Sequence, residues 1–198
     1  LALGDALGRA GKSAEAAAIY QTLVAGPNAE EALARLAAAQ AASGKVREAE
    51  ETAGRFTKQF PSSPFGAGVQ LSLADAAAAA GEKNPAVLAA AVKRYELITG
   101  DAAVGPIARF RMASALFRLN RIPEALIQVR AIPDSDRVGE LAGASLIHAE
   151  CLLRTLPPAE VEAEALQAAA LLKDLQEAVG QLQKAASAAP SSIATACR

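Results

Sequence analysis

The chain has 198 residues, with 20 Lys and Arg against 21 Asp and Glu, a net charge of −1 and a pI near 6.0. That balance argues against a dedicated nucleic-acid surface. Apolar residues make up 52%, with 52 Ala and 23 Leu, which supports a packed core and argues against disorder, while no apolar run is long enough to span a membrane. One His, two Cys and no Trp leave few groups for catalysis, and Cys151 and Cys197 make no disulfide framework.

A helical pattern opens at Leu3 and Leu7 and breaks at Gly11; a second follows through Glu15-Ala16 and Tyr20 and closes at Pro27. The same order returns with Leu33/Leu36, Gly44, Glu48-Ala49, Ala53 and Pro61. It continues through Leu71/Leu73, Gly81, Ala90-Ala91 and Tyr95, and through Met112/Leu116, Asn120, Glu124-Ala125, Val129 and Pro133. A fifth round has Leu146/Leu152, Pro157-Pro158, Glu177-Ala178, Leu182 and Pro190. Pro61-Ser62-Ser63 and Pro190-Ser191-Ser192 stand at the same distance past their Glu-Ala pairs. Each round reads helix, short turn, helix, proline, a repeat architecture. The expected boundaries are 1–28, 29–63, 64–104, 105–135 and 136–190, with 191–198 opening a further repeat, all within a single repeat region. The start at Leu1 and this opened repeat read as a stretch of a longer protein.

Successive pairs lie 33 (15 to 48), 42 (48 to 90), 34 (90 to 124) and 53 (124 to 177) residues apart. The two long intervals imply insertions, both expected between the two helices of a hairpin. The first holds Lys83-Asn84-Pro85, with Pro85 suited to the first turn of a second helix. The second, Ala159 to Lys173, extends a helix from near 158 to 188, on which Val161, Ala165, Ala168, Leu172, Leu175, Val179, Leu182 and Ala186 form an apolar stripe. Gly180 lies off that stripe. A pair of helices broken near Lys173-Asp174 is the alternative. Small residues at Gly4, Ala37, Ala74, Ala113 and Ala149, and at Ala16, Ala49, Ala91, Ala125 and Ala178, are expected to face the partner helix of each hairpin, where bulk would overpack.

These positions resemble the tetratricopeptide repeat, most closely in Leu3-Gly4, Leu7, Gly11, Ala16 and Tyr20, and in Met112-Ala113, Leu116, Asn120, Ala125 and Val129. The absence of Trp and the two insertions depart from the family. The resemblance implies an all-α, right-handed solenoid of stacked antiparallel helical hairpins, with one extended helix in the last. It also implies a non-catalytic protein–protein interaction scaffold in a larger bacterial protein, binding a peptide or partner domain on its concave side. Pro61-Ser62-Ser63-Pro64-Phe65 and the irregular repeat lengths resemble bacterial cell-envelope members, which places periplasm or envelope ahead of cytoplasm.

In such a fold the first helix of each hairpin lines the concave face. Positions i, i+4 and i+7 then give Ala34, Ala38 and Ala41, followed by Leu71, Asp75 and Ala78. The later hairpins give Phe110, Ser114 and Phe117, then Leu146, Glu150 and Leu153, with Arg118 and Arg154 at one edge. The Lys and Asn with which some members hold a terminal carboxylate are missing. The expected groove is apolar and anchored by Phe110 and Phe117, unless those rings pack against the long helix or a neighbouring repeat.

Nothing in the chain assembles a catalytic set. His148 and Cys151 are one turn apart, but two ligands make no zinc site, and a core imidazole and thiol are expected. Glu160, Glu162 and Glu164 suit a helix N-terminus, and Gly66-Ala67-Gly68 follows no strand. No cofactor, metal, nucleic acid or membrane insertion is expected. Two alternatives stand beside the scaffold: self-association through the helix near 158–188, and docking of substrates for an enzyme outside these residues.

Overall fold

The structure is a computed structural model and describes residues 1–155 and 165–188. Ten α-helices and no strand form among them: α1 (Ala2–Arg9), α2 (Ser13–Gln21), α3 (Ala29–Ala42), α4 (Val46–Gln59), α5 (Gly66–Ala80), α6 (Pro85–Glu96), α7 (Gly105–Arg118), α8 (Ile122–Arg130), α9 (Gly143–Thr155) and α10 (Ala165–Ala188). Two short 3-10 turns, Asp134–Asp136 and Gly139–Leu141, lie between α8 and α9. The fold is an all-α helical repeat. It divides into two compact units, Leu1–Ala108 and Arg109–Arg198.

The hairpin turns come from a recurring helix end. Gly11, Gly44 and Asn120 have φ of 75°, 80° and 59°. Around each, the next backbone N–H reaches back five residues, Lys12 to Leu7, Lys45 to Gln40 and Arg121 to Leu116, while the left-handed residue itself reaches back three. This is the Schellman closure, which satisfies the last carbonyls of a helix and demands a residue tolerant of positive φ. The α5–α6 turn differs: Gly81 keeps a negative φ, and a Cβ there would lie 2.6 Å from the Leu88 backbone nitrogen. Asn84 then caps α6, its Oδ1 accepting from the Ala86 and Val87 N–H at 3.1 and 3.4 Å, with Pro85 in the first turn.

The small positions pack as the periodicity predicts. Gly4, Ala16, Ala37, Ala49, Ala74 and Ala91 in the first unit are buried, as are Ala113, Ala125, Ala149 and Ala178 in the second. The first unit closes over Leu33, Ala37, Ala41, Ala49, Ala53, Phe56, Val69 and Leu73 from α3, α4 and α5. The second closes over Ala113, Val129, Ile132 and Ala144, and over Ala149, Leu152 and Ala178.

The insertions differ from expectation in two ways. Much of the first adds length to α4, which has 14 residues against 9 in α2, so it does not all lie between the two helices of a hairpin. The second yields one continuous α10 of 24 residues through Lys173, Asp174 and Gly180, and residues 158–164 of the expected helix lie outside the described residues. Of the expected stripe, Leu182 packs against Ala149, Leu152 and Ala178, but three others do not. Leu172, Leu175 and Val179 are 58%, 39% and 52% exposed, whereas Ala178, Gln181 and Ala185 are buried. Polar partners on α8, α9 and the 3-10 segment turn the helix to that side. Val161 lies outside the described residues.

Candidate partner-binding surfaces

In the first unit four of the six first-helix positions are alanine. Ala34 and Ala41 are buried, and Ala38, Leu71, Asp75 and Ala78 are half-buried. Ala38, Ala41, Ala42, Ser72, Asp75, Ala76 and Ala79 line an open cleft of about 290 Å³ between α3 and α5. Alanine side chains make its floor shallow, leaving the backbone close to anything that lies in it.

Asp75 is not a bare groove acid, because Tyr95 on α6 donates its hydroxyl to Asp75 Oδ1 at 2.6 Å. The first hairpin repeats the device: Tyr20 on α2 donates to Asp5 Oδ1 at 2.6 Å, and its ring lies where a Cβ on Gly4 would collide. Arg35 on α3 also pairs with Asp5, and its Nη2 lies 2.5 Å from Glu31 Oε1. The Tyr20 hydroxyl, and then the Arg35 charge, hold the Asp5 carboxyl below its ordinary range, while burial and this acid raise the Tyr20 hydroxyl. Each tyrosine is a core ring with a satisfied polar tip. Sequence reading found Tyr20 and Tyr95 as core positions but missed their acids; a Tyr four residues past the small pair, with an Asp on the preceding helix, was the available signal.

In the second unit, Phe110 takes the alternative arrangement weighed above. It packs with Ala113, Val129, Ile132 and Ala144, and a Cβ on Gly143 of α9 would touch its ring at 3.0 Å. Phe117 is half-buried with the Arg154 guanidinium 4.4 Å from its ring centroid, a cation–π contact, and Arg154 also donates to Asn120 Oδ1 at 3.5 Å. Ser114, Leu146 and Glu150 are half-buried, whereas Arg118, Leu153 and Arg154 are exposed. The surface that α7 and α9 offer is thus an aromatic ring under one arginine, with a second arginine exposed beside it in sequence.

His148 and Cys151 are buried, and burial, with Glu150 adding, pushes the Cys151 thiol up to about 11, so it stays a poor nucleophile at neutral pH. Among the described residues no group of three or more His, Cys, Asp or Glu could hold a metal ion, and no helix is long and apolar enough to cross a membrane. Cys197, Glu160, Glu162 and Glu164 lie outside the described residues.

Sequence reading also missed a buried polar hub. Arg137, in the 3-10 segment, is 6% exposed. Its Nε donates to Ile132 O at 3.1 Å and its Nη2 to Val129 O at 2.9 Å, so it caps the C-terminal end of α8. Its Nη1 donates to Gln181 Oε1 at 2.8 Å and His148 Nδ1 at 3.0 Å, and lies 3.0 Å from Asp134 Oδ1. Lys184 pairs with Asp134, and Arg130 with Glu177 at 3.4 Å. An open cleft of about 540 Å³ adjoins the hub between Val138, Ser145, Gly180, Gln183 and Ser187. Arg137 and Lys184, its cations, already have partners within the chain. Nothing around Arg137 in the sequence marks it as buried, since Pro133-Asp134-Ser135-Asp136 reads as an exposed loop.

Known proteins agree with this geometry. No curated protein sequence matches the chain. Over residues 8–143 it matches the family described as tetratricopeptide repeat-like domain. Among solved structures it is similar to the nearly identical TPR-like repeats of a putative kinesin light chain from Podosopora anserina, with a TM-score of 0.57 and 17% identity over 92% of this chain and 93% of that one. That likeness is one of fold. With the family matched over more than half its length, the chain belongs to the tetratricopeptide repeat-like proteins.

Proposed function

We propose that the chain is a protein-interaction scaffold, part of a larger bacterial protein, that holds a peptide or a partner domain against the first helices of its hairpins without catalysing a reaction. The observation that carries this reading is the open cleft between α3 and α5, whose alanine floor lets a peptide backbone approach closely. Phe117 under Arg154 offers a second contact on the other unit, an aromatic face and a cation within one side-chain pair. Partners of helical repeats are held by such rigid faces, and the repeat family is one of scaffolds.

The test fills the cleft. Ala38→Arg with Ala79→Arg, both off the fully buried positions, leaves the fold intact by circular dichroism and abolishes capture of the partner that the wild type enriches from native extract. Enrichment that ignores both this pair and Phe117→Ala overturns the reading. A second reading rests on Leu172, Leu175 and Val179, exposed at a-and-d heptad spacing on α10, where α10 of a second copy would seat. Light scattering on Leu172→Glu with Val179→Glu decides it: a wild-type dimer that becomes a monomer supports it, and a wild-type monomer removes it.

A further inference from the structure

Among the described side chains of α10, apolar packing runs along one narrow line, Ala178, Ala185 and half-buried Leu182, while Leu172, Leu175 and Val179 face outward. Much of its seat is polar. Gln181 is buried against Arg137, Glu177 meets His148 and Arg130, and Lys184 meets Asp134. Through these contacts α8, the 3-10 segment, α9 and α10 converge on Arg137 and His148, whose side chains are each 3% exposed.

The protonation state of His148 follows from geometry. A guanidinium can only donate, so the Nδ1 atom 3.0 Å from Arg137 Nη1 must offer a lone pair. A neutral ring with its proton on Nε2 meets that geometry. That atom comes within 2.9 Å of Glu177 Oε1 but off the N–H axis, a close charge–dipole contact and not an aligned hydrogen bond. A proton added at Nδ1 would set donor against donor and place two cations at contact in a buried site, a costly arrangement.

We propose that His148 is a proton-operated latch for α10: neutral, it completes the Arg137 hub and holds α10 on α9; protonated, it breaks the Arg137 contact and releases α10. The charged groups that act on it are Arg137 and Asp134 from the 3-10 segment, Glu177 from α10 and Arg130 from α8; Lys184 of α10 pairs with Asp134, and Cys151 is a neutral neighbour on its own helix. Glu177 and Asp134 favour the imidazolium; burial, then Arg137 and Arg130, oppose it and hold the pKa below 6.5. With the folded value depressed, the released state binds more protons. The latched state is therefore at full strength above about pH 6.5 and weakens as pH falls below it, by up to about tenfold for each unit of depression. The latch is independent of what the scaffold binds.

The chain has one histidine, so a proton NMR titration reads His148 without assignment. We expect its midpoint below 6.5. Amide exchange across α10, corrected for intrinsic rates, is expected to speed up by about threefold to tenfold between pH 7.5 and 5.5, a range in which ordinary carboxylates stay ionised, while α3 and α4 keep their protection. His148→Gln, whose side-chain oxygen accepts from Arg137 at any pH, should make α10 indifferent to the change. A midpoint at or above 6.5, equal loss of protection in α3 and α4, or the same pH response in His148→Gln overturns the latch. Should the variant fail to fold, the wild-type titration and exchange profile decide alone.

Discussion

The α3–α4 hairpin of the first unit and the α9–α10 hairpin of the second solve one packing problem by different means. Between α3 and α4, Ala34, Ala37 and Ala41 meet Ala49, Ala53 and Phe56, and Thr52 is the one polar residue buried in either helix. Between α9 and α10, Ser145, His148 and Gln181 are buried beside Arg137. Small residues let α3 and α4 pack closely with apolar contacts alone. Along the described side chains of α10 an apolar contact of Ala178 and Leu182 with Ala149 and Leu152 is joined by specific hydrogen bonds, which fix the rotation of the helix.

The largest effects should separate these two modes. Phe56→Ala leaves an apolar cavity in the first unit and should cost about 3–5 kcal/mol. Arg137→Ala strips donors from the Val129 and Ile132 carbonyls and from Gln181, and should cost about 3–5 kcal/mol in the second unit. Urea unfolding followed by hydrogen exchange assigns each loss to its unit. The contrast fails if Arg137→Ala costs under about 1 kcal/mol, since removal of a buried donor set should exceed an average hydrogen bond.

The alanine rule itself is tested by bulk. Ala125 on α8 is fully buried, so Ala125→Leu should destabilise by about 1–3 kcal/mol through overpacking. Ala79 on α5 is exposed, and Ala79→Leu should stay within about 0.5 kcal/mol. Equal shifts in melting temperature would mean that the helix faces are misassigned.

What the sequence made legible follows from which constraints are local. Gly4 and Ala37, like Ala16 and Ala49, stand one 33-residue repeat apart, and the closeness of each hairpin depends on them, so the repeat period finds the buried faces. Gly11, Gly44 and Asn120 mark turns because few other residues accept a left-handed helix end. The rotation of α10 was not legible. Its three-and-four spacing shows which residues can form a seam, but the side turned inward is chosen by Arg137, which lies 44 residues away from Gln181 along the chain. Phe110 shows the same limit: the sequence left open whether its ring lines a groove or packs on a neighbouring repeat, and the half-buried ring lies against Gly143 of α9, a contact no local pattern encodes.

The smallest expected effect joins the turns to the candidate binding surface. Gly44 and Asn120 occupy the same place in the same closure, at φ of 80° and 59°, so one residue type bears no conformational penalty where the other does. Gly44→Ala should cost about 1–2 kcal/mol, because Cβ crowds the carbonyl in the left-handed region. Asn120→Gly removes a milder strain but restores chain entropy to the unfolded state, so the net change in melting temperature should be near zero and its sign informative. Asn120 does more than turn the chain, since its side chain receives Arg154, which stands over Phe117. The two roles separate cleanly in one variant. If Asn120→Gly keeps the melting temperature yet weakens partner capture as Phe117→Ala does, the second unit uses this turn to aim Arg154. If capture is unchanged, Asn120 serves the backbone alone, and the arginine is held in place by the ring beneath it.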